Sequence, residues 1–496
     1  MAKAIMIQGT MSNVGKSLFS AALCRIFKQD GYRAAPFKSQ NMALNSFVTA
    51  NGLEMGRAQV MQAEAAGIEP DVSMNPVLLK PVTDLGSQVI VNGEVLGNMR
   101  AAEYFRYKKQ LVPEIMKAYK KLDEQYDIIV IEGAGSPVEM NLKSDDIVNM
   151  GIAKLAKSPV LLVGDIDRGG VFAQLLGTLS LFEEDELSMV KGLVVNKFRG
   201  DRSLFDDGVR ILEERGNKPV IGVVPYINCD IEAEDSLSDK LSGSKKSLID
   251  IAVIKLPKIS NFTDFDAFSQ FENVSVRYVE KSEALGVPDL VMIPGTKSTI
   301  SDMKWLRESG IEAEVKRCAA DNIPVFGICG GYQILGKKIS DPDLTEGGGE
   351  IWGMGLLDIE TVFGKSKTRT RVSGRFSVYD GFFKVLENTD FYGYEIHAGK
   401  SAVNEKNSII FDNGKSDGAF RGNVCGSYVH GIFDSTDVSQ ALIKALYERK
   451  GLKFEGTVSD RKEYKEKQYN ILADEVRKNI DTGMLYRILE EGLKWD

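Results

Sequence analysis

Histidine is the scarcest chemistry-bearing residue in this 496-residue chain, with only His397 and His430 present. Any imidazole-based proton transfer must use one of these two. Cysteine is also sparse. The five (Cys24, Cys229, Cys318, Cys329, Cys425) contain no CxxC pair, which excludes a zinc-ribbon signature and a disulfide framework and fits a reducing compartment. There is no excess of positive charge: 62 Lys and Arg against 70 Asp and Glu leave a net charge of −8. That balance excludes the basic footprint of a nucleic-acid or anionic-membrane binder, so any phosphate must be held locally by backbone amides and a few cations. No apolar run is long enough to span a bilayer. The N-terminal AIMI stretch passes straight into Gly9 and a polar loop, unlike a signal-peptide core. The expectation is a cytoplasmic protein with no nucleic-acid and no membrane partner.

What is present is ordinary globular composition, 43% hydrophobic and 27% charged, on a chain long enough for several domains. In the first half, short apolar runs (KAIMIQG, YDIIVIEGAG, SPVLLVGDID, KGLVVNKF, KPVIGVVP) alternate with helical patterns over 16–29, 103–125 and 204–215. This predicts a doubly wound α/β domain over 1–229, with ligands at the carboxyl ends of parallel strands. Residues 230–249, rich in Ser, Asp, Glu and Lys, read as a linker. A second doubly wound α/β domain is expected over 250–445, with strands near IDIAVIKL, VSVRYVE, DLVMIPG, IPVFGIC and NVCGSYVHGIF. Residues 446–496 read as a charged helical tail. Tyr469, Leu472 and Val476 recur there at helical spacing, which predicts docking on a domain.

Residues 9–17, GTMSNVGKS, follow a strand and open a helix. The glycines let the loop curl so that its N–H groups face an anion. Lys16 can reach outer phosphates, and the Ser17 hydroxyl can ligate Mg²⁺. Gly9, Thr10, Ser12, Asn13, Val14, Gly15, Lys16 and Ser17 are therefore the candidate phosphate-binding residues. Five residues separate Gly9 from Gly15, one more than in the usual P-loop. Glu132, at the end of the IIVIE strand, is placed to hold the metal with Ser17. Asp165, Asp167, Asn196 and Lys197 end neighbouring strands and are expected to line the same crevice. Asn196 either reads a nucleotide base or caps the chain locally.

FGICGGYQILG places Cys329 between a strand and a helix, among Gly327, Gly330 and Gly331. This is the thiol counterpart of a nucleophile elbow, in which small neighbours permit a sharp turn. A helix N-terminus favours the thiolate, the Gly330 N–H can serve an oxyanion, and Gly295 of the PGTKS loop can supply a second donor. His430 in GSYVHGIFD is the candidate base, leaving His397 to orientation or ligand contact. Cys24, Cys318 and Cys425 read as packing residues.

GTMSNVGKS, PFKSQNMALNS (36–46), IEGAGSPVE, GDIDRGGVF, VVNKFRGD, PGTKST, GICGGYQILG and SYVHGIFD together resemble the cobyric acid synthase family of glutamine-hydrolysing amidotransferases. The resemblance covers almost the whole chain. It implies a P-loop domain similar to dethiobiotin synthetase, whose relatives share the lengthened loop, followed by a class I glutamine amidotransferase domain of the cobyrinate type. It further implies ATP and Mg²⁺ as cofactors and glutamine as nitrogen donor. Four peripheral carboxylates (b, d, e, g) of adenosylcobyrinic acid a,c-diamide would be activated as acyl phosphates and amidated to adenosylcobyric acid. Lys38, Gln40, Asn41 and Asn45 of the 36–46 segment are the substrate candidates.

Two departures stand out. Gln40 and Asn41 occupy the region where related carboxylate-activating enzymes carry an acidic metal-binding residue. Ile432 replaces the Glu found two positions after the catalytic His in many class I domains, with Glu395 a candidate orienter. Two alternatives remain: cobyrinic acid a,c-diamide synthase, built from the same modules, and a P-loop switch of the partitioning-ATPase type, which leaves Cys329 and His430 without a task.

Overall fold

The computed structural model describes residues 2–83, 86–231, 247–456 and 458–493. They form two compact units that are not contiguous in sequence. The first comprises Met1–Ala43, Glu54–Leu237 and Lys465–Asp496, and the second Leu44–Leu53 and Ser238–Tyr464. This differs from the expected succession of 1–229 and 250–445. Residues 44–53 belong to the second unit, and the chain from Lys465 returns to the first. Most of the expected 230–249 linker (232–246) lies outside the described residues, and Ile249 already begins a strand.

In the first unit, six parallel strands lie in the order Val220–Pro225, Val190–Phe198, Val160–Asp165, Lys3–Gly9, Ile128–Glu132, Ala34–Phe37. Helices cover such a sheet on both faces, so its strands read as near-continuous apolar runs; Ile5, Ile7, Val130 and Val163 are fully buried. The helix expected over 16–29 runs Lys16–Gln29. That expected over 103–125 is broken into Ala101–Tyr107, a 3₁₀ turn Lys108–Leu111 and Val112–Asp123. Pro113 explains the break, because it lacks an N–H and fits only the first turn of a helix. A four-stranded sheet, Gln40–Met42, Val77–Thr83, Gly86–Val91, Glu94–Arg100, was not foreseen. The tail residues Tyr469, Leu472 and Val476 enter the core beside Ile26 and Phe27, as their spacing predicts.

The second unit has a sheet in the order Val274–Val279, Ile249–Ile254, Leu290–Ile293, Val325–Ile328, Val424–Ser427, Ala419–Arg421, parallel except for the last strand. The long strands Ile359–Phe376 and Asp390–Val403 pair antiparallel in a second sheet. A helix of this unit runs Thr436–Arg449, past the expected boundary at 445. Among the described residues, no helix is long and apolar enough to cross a membrane.

Candidate functional site

Each unit carries a cluster of functional side chains at the carboxyl ends of its parallel strands. In the first, the loop after Lys3–Gly9 turns through Asn13 (φ 62°) and Gly15 (φ 91°) into the Lys16–Gln29 helix. Gly15 has no room for a side chain, because a Cβ would stand 2.4 Å from the Asn196 amide nitrogen. That amide donates to the Val14 carbonyl at 2.8 Å, and Lys197 Nζ donates to the Asn13 carbonyl at 2.5 Å. Of the two readings left open for Asn196, the observed bond is a local backbone contact that shapes the loop. Thr10 Oγ1 donates to Gln174 at 3.2 Å, Ser12 is exposed, and Lys16 Nζ donates to the carbonyls of Met11 (2.9 Å) and Gly135 (3.3 Å). Asp165 pairs with Lys197 at 3.1 Å and Asp167 with Arg199 at 2.7 Å.

Glu132 is the hub of this unit. It is 1% exposed, and its carboxylate accepts from Ser17 Oγ (2.8 Å), Lys38 Nζ (2.8 Å), Gln62 Nε2 (2.5 Å) and Gln59 Nε2 (3.4 Å). Burial opposes its charge most strongly. The Lys38 ammonium and the hydrogen bonds from Lys38, Gln62 and Ser17 outweigh burial and hold the carboxyl below the ordinary carboxylate range. Ser17 and Glu132 are hard oxygen donors beside a phosphate loop, the set Mg²⁺ uses when phosphates and waters fill its remaining positions. Gln62 Oε1, buried with no partner next to them, fits a site completed by a ligand. Among the described residues no group of three or more His, Cys, Asp or Glu is placed to hold a metal, so a cation here would depend on the phosphates.

Of the substrate candidates, Lys38 is committed to Glu132. Gln40 accepts from Tyr104, and Asn41 donates to Gln59 at 3.3 Å. Asn45 falls in the second unit, 3% exposed, with its Oδ1 buried and unpartnered. Gln59 and Gln62 were missed from sequence. Their signal was two amides three residues apart on the small-residue helix Arg57–Ala66, both fully buried.

In the second unit, Cys329 joins the Val325–Ile328 strand to the Gly330–Leu335 helix with φ 51° and ψ −107°, a conformation that costs a non-glycine residue of order 1–3 kcal/mol. The turn survives because its neighbours are small. A Cβ on Gly331 would stand 2.0 Å from the Ile293 carbonyl oxygen, and one on Gly330 2.9 Å from the Thr296 nitrogen. Gly295 lies against the imidazole, where a Cβ would approach His430 Cε1 to 2.8 Å. Elbow, PGTKS loop and histidine are thereby brought to one place.

His430 is 1% exposed and feels the Cys329 side chain electrostatically, while the Cys329 thiol donates to the Ile396 carbonyl at 3.9 Å. Its Nδ1 is 2.7 Å from Asp264 Oδ2, and the other Asp264 oxygen accepts from the Gly431 N–H at 2.8 Å. Burial, the largest influence, disfavours the imidazolium. The charges of Asp264 and Cys329 and their hydrogen bonds outweigh it and raise His430 to about 10. The orienting acid is thus Asp264 rather than Glu395. Glu395 lies 3.4 Å from His397 Nε2, and the His397 ring stacks on Tyr428 with centroids 3.7 Å apart. Asp264 escaped the sequence reading because 166 positions separate it from His430. Its only signal was an acid inside the aromatic run FTDFDAF. Burial pushes the thiols of Cys24, Cys318 and Cys425 upward, Cys425 to about 12, as suits packing residues.

Comparison with known proteins matches both halves of the chain. Residues 5–239 match the family described as CobQ/CobB/MinD/ParA nucleotide binding domain. Residues 250–438 match the CobB/CobQ-like glutamine amidotransferase domain. A cobyric acid synthase of Ruminiclostridium cellulolyticum is 57% identical, covering 100% of this chain and 98% of that protein. Those of Lachnoclostridium phytofermentans and Alkaliphilus metalliredigens are 55% identical (99% and 100% covered) and 51% identical (98% and 99% covered). With a nucleotide-binding and a glutamine amidotransferase module matched along its length, the chain belongs to the cobyric acid synthase family.

Proposed function

We propose that the chain catalyses glutamine-dependent, ATP-dependent amidation of the b, d, e and g carboxylates of adenosylcobyrinic acid a,c-diamide, yielding adenosylcobyric acid. The observation that carries the reading is the placement of the buried elbow thiol Cys329 beside an Asp264-held imidazole, on the same chain as a phosphate loop joined to Glu132. His430 takes the Cys329 proton, and the sulfur attacks the side-chain carbonyl of glutamine. The Gly330 and Gly295 N–H groups face the oxyanion. His430 then returns the proton to the leaving nitrogen, which departs as ammonia, and water hydrolyses the glutamyl thioester to glutamate and free thiol. Asp264 fixes the ring with its proton on Nδ1, leaving Nε2 for this traffic.

In the 1–229 portion, the backbone of residues 9–17 and Lys16 would hold the triphosphate. Lys38, Gln40 and Asn41 are assigned to the acceptor. Mg²⁺, held by Ser17 and Glu132, would supply charge neutralisation on the phosphates. Because Lys38 neutralises Glu132 in this structure, loading the site requires Lys38 to give up that carboxylate, which frees its ammonium for an acceptor carboxylate or phosphate oxygen. A carboxylate is a poor acyl donor. Phosphorylation by ATP releases ADP and gives an acyl phosphate, from which ammonia displaces phosphate to form the amide.

Mass spectrometry of the product from the a,c-diamide with ATP and glutamine tests the proposal. Four replacements of OH by NH₂ are expected. No product from the a,c-diamide, but two replacements on cobyrinic acid, would instead identify the a,c-diamide synthase.

A further inference from the structure

The amidotransferase match begins at residue 250, yet the unit that contains Cys329 and His430 also includes residues 44–53. Those residues sit behind both supports of the catalytic imidazole. The first support is Tyr394. Its ring stacks on His430 with centroids 5.5 Å apart and planes at 25°. Its backbone N–H donates to the His430 carbonyl at 3.0 Å and its carbonyl accepts from the His430 N–H at 2.8 Å. The Tyr394 hydroxyl donates to the Ser46 carbonyl at 3.1 Å, the Phe47 ring meets the Tyr394 ring edge-on at 5.1 Å, and Val48 is buried with Tyr394 and Ile396. The second support is Asp264. Its N–H donates to the Asn261 carbonyl at 3.1 Å, and the Asn261 side-chain oxygen accepts from the Ser46 N–H at 3.0 Å. Arg371 fastens the outer side of the segment, donating to the Val48 carbonyl at 3.1 Å with its guanidinium 5.1 Å from the Phe47 ring.

We infer that Ser46–Val48 and Tyr394 form a positioning element for His430, so that the glutamine-hydrolysing site is completed by a segment encoded far upstream of its own module. The physical need is plain. An imidazole that must take a proton from Cys329 and return it to the leaving nitrogen has to keep one ring plane throughout, and a displacement of about 1 Å costs a reaction of this kind on the order of 10²-fold. Asp264 fixes one ring atom but leaves rotation about the Nδ1 bond open. Tyr394 closes the face, and Ser46–Val48 keep Tyr394 from sliding. Tyr394 and Phe47 touch neither glutamine nor the reacting sulfur in this account, so they act through His430.

The inference rests on the assignment of Cys329 and His430 proposed above, and the experiment separates the two. Glutamine hydrolysis is measured as glutamate release by the full chain carrying Tyr394→Phe, Phe47→Ala, Phe47→Leu or Cys329→Ala. Tyr394→Phe keeps the stacked ring and deletes one hydroxyl, so it should lower kcat about 3- to 10-fold with KM for glutamine unchanged, the effect of one neutral hydrogen bond. Phe47→Ala should lower kcat further, again without moving KM, and Phe47→Leu should restore most of it. Wild-type kcat in both Tyr394→Phe and Phe47→Ala, or parallel changes in kcat and KM, would overturn the inference while a silent Cys329→Ala leaves the thiol assignment standing. Retained hydrolysis in Cys329→Ala would remove that assignment and the inference with it. If Phe47→Ala does not fold, Tyr394→Phe alone decides, because it changes no packing volume.

Discussion

Asp264→Asn isolates the electrostatic part of the glutamine site. The two carboxylate oxygens of Asp264 accept from His430 Nδ1 at 2.7 Å and from Gly431 N at 2.8 Å. An amide has the same shape but one acceptor, so one of these donors must face an NH₂ group. Losing a charge-assisted bond of this kind costs about 1.5–3 kcal/mol, a factor of about 10–150 in rate. If the amide oxygen stays with Gly431, its NH₂ selects the imidazole tautomer with the lone pair on Nδ1 and the proton on Nε2. That nitrogen then cannot take the Cys329 proton. The equivalent exchange in serine-protease triads costs about 10⁴.

The expected fall in glutamine-dependent kcat therefore lies between about 10 and 10⁴. The pH dependence has a definite sign. Against the cost of burial, Asp264 and Cys329 raise His430 to about 10, so the imidazolium persists into alkaline solution and is lost as pH rises through that value. Deleting the Asp264 charge lowers the imidazole, and the alkaline limb of the glutaminase profile should move to lower pH. Glutamate release across pH, with ammonia-dependent amidation as the internal control, provides both readings. A loss under threefold, or a limb that does not move or moves upward, would refute the role given to Asp264.

The remaining expectations follow from the same geometry. Cys329→Ala should abolish glutamine-dependent amidation and spare amidation from ammonium salts, read as product formed with each nitrogen source. Lys16→Ala should abolish both, because it removes the cation from the phosphate loop; normal turnover with ammonia would exclude that loop from the reaction. Glu132→Gln leaves Lys38 without its buried counter-charge and should cost about 3–5 kcal/mol in chemical denaturation at neutral pH. Because the folded carboxyl lies below its ordinary value, that contribution is present above the unfolded pKa and lost as pH falls through the folded one, so the gap between Glu132→Gln and wild type should close in acid. Gly331→Ala places a methyl 2.0 Å from the Ile293 carbonyl oxygen and should destabilise the second unit by at least about 1–3 kcal/mol.

The parts legible from sequence were those in which one local segment carries both the turn and the chemistry. GTMSNVGKS and FGICGGYQ hold strand, glycine and functional group within a dozen residues, and strands buried on both faces announce themselves as apolar runs. The helix Lys16–Gln29 was readable for the same reason, since its apolar stripe and its glycine start lie in one stretch. The hairpin Ile359–Phe376 with Asp390–Val403 was not, because long partly exposed strands rich in Thr, Ser, Lys and Arg carry little apolar contrast.

Asp264, Gln59 and Gln62 mark the physical limit of such reading. Each works by holding another residue, His430 or Glu132, across a distance in sequence that only the fold closes. A residue of this kind needs no motif, because any element that reaches the right place can bring one oxygen or one amide. Its trace in sequence is a polar side chain where the pattern calls for an apolar one: an acid among phenylalanines, or two amides on a helix of small residues. The same reasoning explains why residues 44–53 belong to a unit whose remainder begins far downstream. The support of His430 requires a carbonyl at Ser46 and an aromatic edge at Phe47, and neither requirement fixes where along the chain they are encoded.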